Sequence, residues 1–132
     1  MILFKIKNQL HDSFFSLGLA IVSPLTINAD ARDYIMYLTN FTETASNIEM
    51  GRNAYSELTF DVMITGKDIS EVQECANTAY EYLTSKQYII DNAKVANIST
   101  VTNFQNSDDF DPTSGLNTVV ISMRLNYITI QR

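Results

Sequence analysis

Two stretches of the chain alternate hydrophobic and polar residues. In Asn117–Arg132, Val119, Ile121, Met123, Leu125 and Tyr127 share one side of an extended strand, and Ser122, Arg124 and Asn126 share the other. Glu57–Thr65 repeats the pattern, with Leu58, Phe60, Val62 and Ile64 set against Glu57, Thr59, Asp61 and Thr65. A period of two predicts strands with one buried and one wet face. Elsewhere the period changes. Leu3, Ile6, Leu10, Phe14 and Leu17 recur at steps of three and four, which predicts an amphipathic helix over residues 2–17. Gly18 follows where a left-handed C-terminal cap belongs. A second helix places Val72, Cys75, Ala76, Ala79, Tyr80 and Leu83 on its apolar side and Glu71, Glu74 and Glu81 toward solvent. Two capping boxes compete for its start, Ser70 with Gln73 and Asp68 with Glu71.

The other segments carry weaker signals. Residues 19–30 hold Pro24 and read as a connection with a short extended piece. Tyr34–Phe41 is rich in aromatic and β-forming residues and predicts a strand. Thr42–Tyr55 is polar and contains Gly51, so it reads as a long turn or loop returning to the Glu57–Thr65 strand. Tyr88–Asn92 and Lys94–Phe104 look strand-like, and Gln105–Gly115 reads as a loop. The resulting fold class is α+β: one mostly antiparallel sheet of about four to five strands, with two main helices packed on one face. The whole of 1–132 is expected to be a single domain.

Composition narrows the function. The chain is 45% hydrophobic and 18% charged, which is ordinary for a globular protein and argues against disorder. Its formal net charge is −6, and its nine basic residues are scattered. Gripping nucleic acid requires clustered Lys and Arg, so specific duplex binding is not expected, although an acidic protein can surround DNA without holding it. One cysteine, Cys75, rules out an intrachain disulfide and a cysteine-based zinc site. The single histidine, His11, falls on the polar side of the first predicted helix. The apolar run Phe14–Val22 is short and interrupted by Ser16 and Gly18. It reads neither as a secretory signal nor as a membrane span. A cytosolic protein is therefore expected, with the sequons at Asn40 and Asn97 as chance matches.

Candidate chemistry is thin. Asp108, Asp109 and Asp111 form the best acidic cluster, but a calcium loop begun at Asp109 would have Ser114 where glycine is needed and Val120 where glutamate is needed. A solvated turn fits these residues better. Glu57 and Asp61, on the wet face of a strand, are placed to pair across the sheet with Arg124 or Lys94. The sequence contains no glycine-rich phosphate loop and no nucleophile elbow. The expectation is no enzyme, no cofactor and no metal. Tyr34, Tyr37, Phe41, Tyr55, Tyr80, Tyr82, Tyr88 and Tyr127 are too many for a small two-layer core, so some are expected in protein–protein contacts.

The order of these elements resembles the tail-terminator and minor-capsid group of small proteins from long-tailed bacteriophages. The likeness lies in the N-terminal helix, the strand and link YSELTFDVMITGKD, the helix SEVQECANTAYEYLTS and the terminal strand GLNTVVISMRLNYITIQR. It implies a virion protein that forms a six-membered ring, caps the tail-tube protein and docks onto the head-side connector in the neck, with the host cytoplasm as its place during assembly. It also implies that the genome passes through without specific binding, and it transfers no catalytic residue. On that reading the partner contacts come from two loops, through Asn47, Glu49, Arg52 and Asn53 in one and Asp108, Asp109 and Asp111 in the other. The competing expectation is a small non-enzymatic α+β module that holds a metabolite or peptide in a preformed apolar pocket.

Overall fold

A computed structural model describes the backbone of residues 2–22, 34–50, 53–85 and 100–130, and side chains at Phe4, 6–22, 34–44, 57–85 and 101–126. The element order is α1 (Ile2–Ser16), β1 (Tyr34–Met50), β2 (Asn53–Gly66), α2 (Ile69–Ser85), β3 (Thr100–Asp111) and β4 (Leu116–Ile130). The strands form one antiparallel sheet in the order β1-β2-β4-β3. Both helices lie on one face, so the fold is the expected α+β arrangement with four strands.

The buried face follows from the alternation. Leu58, Phe60, Val62 and Ile64 of β2 and Ile121, Met123 and Leu125 of β4 are all buried. Register places Phe60 opposite Met123 and Leu58 opposite Leu125. Met36 and Leu38 of β1 extend the same surface, and Val101 of β3 joins it opposite Leu125. Ile6, Leu10 and Phe14 from α1 close this core with Val72, Cys75, Ala79 and Leu83 from α2. Each such side chain contributes roughly 1.5–3 kcal/mol when fully buried.

α1 ends as the sequence predicts. Gly18 takes φ +79°, its N–H donates to the Phe15 carbonyl at 3.0 Å, and the Leu19 N–H donates to the Phe14 carbonyl at 3.3 Å. These are the two bonds of a Schellman cap, and Leu19 packs against the core beside it. The cap swings the chain away and leaves Leu17 44% exposed, off the stripe it was expected to extend. His11 also departs from expectation: it is half-buried rather than solvent-facing, with Nδ1 3.6 Å from the Asp12 carboxylate. On α2, Tyr80 turns outward, while Tyr82 packs on Phe14 with ring centroids 5.7 Å apart. Glu71 is half-buried, whereas Glu74 and Glu81 face solvent.

Asp68 wins the competition for the start of α2. Its Oδ1 accepts the Ser70 N–H at 2.9 Å and its carbonyl accepts the Val72 N–H at 3.1 Å, as an N-cap requires. Asp68→Ala is expected to cost about 1 kcal/mol, and Asp68→Ser to restore most of it, by urea midpoint at unchanged slope.

Both edge strands carry a bulge. In β1 the register slips between Thr39 and Thr42, where Asn40 adopts φ +57°, and again between Ala45 and Glu49. The first slip brings Phe41 over to the core side, where it stacks on Phe60 at 5.3 Å. In β3 the slip lies between Asn103 and Gln105. The expected short extended piece before β1 is also present. Ile21 forms a parallel bridge to Met36, held by Val22 N–H to Met36 O (2.8 Å) and Met36 N–H to Ala20 O (3.0 Å). The predicted strand-like segment Tyr88–Asn92 and most of Lys94–Phe104 lie outside the described residues.

Candidate assembly surfaces

The two segments expected to be loops are mostly strand. β1 continues to Met50 and β2 begins at Asn53, directly opposite it, so Glu49 and Asn53 sit in a paired hairpin, while Asn47 falls in a register break between Ala45 and Glu49. Arg52 lies outside the described residues. Likewise Asp108, Asp109 and Asp111 belong to β3, paired with Val119, Thr118 and Leu116, and the turn between β3 and β4 spans only residues 112–115. In β3 the physical reason is that residues 104–111 are all exposed, so no apolar alternation is needed and backbone pairing with β4 holds them.

Strand pairing also separates the acidic cluster. Asp109 and Asp111 point to the helix-free face, while Asp108 and Phe110 point to the helix side, near Ile69 and Gln73 at the start of α2. Among the described residues no group of three His, Cys, Asp or Glu is placed to hold a metal ion. Asp111 has a local role. Its Oδ1 accepts the Thr113 N–H at 2.9 Å, and that bond, helped by the Ser114 hydroxyl, holds its carboxyl below the usual carboxylate range. A lowered folded-state pKa adds stability above the unfolded value and loses it as pH falls through the folded one. In a carbon-detected NMR titration, the Asp111 carboxyl is therefore expected to titrate below the ordinary aspartate midpoint. In Thr113→Pro, which lacks that N–H, the midpoint should move back toward ordinary.

Among the described residues, no helix covers the other face of the sheet. Tyr37, Thr39, Thr59, Asp61, Met63, Thr65, Thr118, Val120, Ser122 and Arg124 form its centre. Asp61 accepts from the Ser122 hydroxyl at 2.7 Å and from the Asn40 amide at 2.8 Å. Arg124 takes up the expected cross-strand ion pair with Glu57, at 3.1 Å, and lies over the Phe104 ring at 5.1 Å. Both partners of that pair are about two-fifths exposed, so it contributes little stability. Its consequence is electrostatic. Arg124 is the one cation on this face among the described residues, and Glu57 neutralises it, so Asp61 and Asp109 leave the face acidic.

Exposed apolar side chains mark further contact points. Phe4 and Phe15 on α1, Phe104 and Phe110 on β3 and Ile69 on α2 are all 46–62% exposed. The surface aromatics are thus mainly phenylalanines. Of the tyrosines singled out from the sequence, Tyr34 is buried, Tyr37 and Tyr82 are half-buried, and Tyr55, Tyr88 and Tyr127 fall outside the described side chains. A hollow of about 450 Å³ lies between the end of α1 and α2. Glu71, Glu74 and Thr78 line it together with Leu17, Leu19, Tyr34 and Cys75, a mixed rather than apolar wall. No described helix is long and apolar enough to cross a membrane.

The class so defined is a two-layer α+β domain with an open antiparallel sheet. No family model matches the chain, and no curated protein sequence matches it. Among solved structures it is similar to a chain in the virion of a native gene transfer agent particle, with a TM-score of 0.56 at 10% identity over 84% of this chain and 80% of that one. At that identity the likeness is one of fold.

Proposed function

We propose that this chain is a structural, non-enzymatic protein of a phage-like particle, and that it acts as a tail terminator. It assembles as a ring of six copies, caps the tail-tube protein and presents its other side to the head-side connector. The observation that carries the reading is the fold shared with a gene transfer agent virion chain over most of both molecules. The element order read from the sequence supports the finer assignment. The helix-free face, on which the described residues place one cation, neutralised by Glu57, beside Asp61 and Asp109, suits a passage through which DNA slides, since uptake of phosphates by counterion release needs free Lys or Arg. On this reading the protein resides in the virion tail or neck.

Light scattering over a range of concentrations, with negative-stain images, is the test. A six-fold ring, and arrest of tube elongation when the protein is added to polymerising tail-tube subunits, are expected. A protein that neither forms rings nor blocks elongation would overturn the assignment.

A further inference from the structure

Two exposed apolar points lie toward opposite sides of the molecule. Phe4 stands near the start of α1, and Ile69 and Phe110 flank a hollow of about 200 Å³ between the start of α2 and the end of β3. All three side chains are at least half exposed. α1 meets β1, whereas α2 lies across β2, β4 and β3. β1 and β3 are the two outer strands, three strand spacings or about 14 Å apart. The two points are therefore placed to meet between copies rather than within one.

Size and charge match them to each other. An apolar cavity of roughly 150 Å³ takes up benzene, so the hollow has room for one phenyl ring. Its walls are apolar at Ile69, Phe110 and Val119 and acidic at Asp108 and Asp109. Asp68 caps the helix beside it, and Lys67 offsets one of these three charges. The start of α1 has the opposite sign. Lys5 and Lys7 follow Phe4, Lys7 lying over the Phe41 ring at 5.6 Å, and the first acid of α1 is Asp12, about two turns on. Phe15 is equally exposed and shares the Phe4 side of α1, but its neighbour in charge is Asp12, so the acidic hollow selects Phe4. Charge also sets the symmetry. A two-fold contact through α1 would bring Lys5 and Lys7 toward their own copies, and one through the hollow would bring Asp108 toward Asp108. The cross pairing alone joins opposite signs.

We propose that copies of this chain join head to tail, the basic start of α1 docking with Phe4 in the Ile69–Phe110 hollow of the next copy. The inference rests on the ring reading and names its contact. Such a contact is heterologous, and repeated around an axis it closes into a ring.

Two blocked variants of the full chain test it, by light scattering over a range of concentrations. Phe4→Ser and Phe110→Ser are each expected to weaken self-association about tenfold or more. Both side chains are exposed, so the circular dichroism of each variant should match wild type. Where each variant alone is monomeric, a mixture of the two is expected to give 1:1 dimers that go no further, because it holds one intact pair of surfaces. Lys5→Glu should weaken association too, and Lys5→Glu/Asp108→Lys should restore it. Loss in only one serine variant would overturn the proposal in favour of a two-fold contact through that surface. Loss in both with no dimer on mixing would also overturn it. Rings unchanged in both variants would remove this contact yet leave the ring reading standing. Open chains from the wild type, cut to monomers by either variant, would uphold the contact and count against closure. A wild type that is monomeric at every concentration and does not arrest tubes would sink both.

Discussion

Phe60→Ala is expected to produce the largest loss of stability of any single truncation in the sheet, about 3–5 kcal/mol. Phe60 is 1% exposed, in the central strand β2. Its ring stacks on Phe41 with centroids 5.3 Å apart and an interplanar angle of 11°, and its register partner across the sheet is Met123, itself fully buried. Truncation therefore removes transfer free energy, an aromatic stack and the packing of a neighbour that cannot collapse into the gap without moving β4. A domain of this kind has a total stability of about 5–15 kcal/mol, so the variant should lose a large part of it. Urea denaturation followed by far-UV circular dichroism checks this. The midpoint should fall sharply with the slope unchanged, and Phe60→Leu should recover more than half of the loss. A shift of less than about 1 kcal/mol would mean that Phe60 is not at the centre of the core.

The success and failure of the sequence reading have one physical cause. Alternation is visible only where one face of a strand is buried. Leu58–Ile64 and Val119–Leu125 lie under the helices, so their pattern was legible and their faces came out correctly. Beyond residue 42, β1 runs past the helices, and β3 from Phe104 onward is exposed on both faces. Polar residues are tolerated there on either side, and the segments look like loops although most of their residues pair with a neighbouring strand. The bulge at Asn40 hid a second feature, because it flips the parity of β1 and brings Phe41 to the core side. Asn at that place is the available signal, since it accepts a positive φ more readily than most residues. The helices were read well apart from their ends. The cap at Gly18 takes Leu17 off the apolar stripe, and packing on Phe14 selects Tyr82 over Tyr80.

The candidate surfaces were less legible than the core. Asp108, Asp109 and Asp111 are close in sequence, yet period two sends Asp108 to the helix side and the other two to the open face. The outer edges of the sheet are not written in residue types at all. They emerge from the order β1-β2-β4-β3, which leaves one strand from each half of the chain on the outside.

The second large effect is expected at Phe14, and it should be local where the first is global. α1 enters the core through Ile6, Leu10 and Phe14, and Phe14 is fully buried. Its ring packs on Tyr82 of α2, and its carbonyl accepts the Leu19 N–H that closes the cap. Phe14→Ala keeps that backbone bond but removes the side chain that ties α1 to α2, at a cost of about 3–5 kcal/mol by analogy with other buried aromatics. The sheet does not depend on that contact alone: α2 itself packs on β2, β4 and β3, while α1 meets β1. α1 should therefore open as a unit below the global transition. Hydrogen exchange is the measurement. Amides of residues 6–16 in the variant are expected to lose protection by orders of magnitude, while those of β2 and β4 stay close to wild type. Equal loss of protection in α1 and the sheet would show that the two layers fold as one cooperative unit.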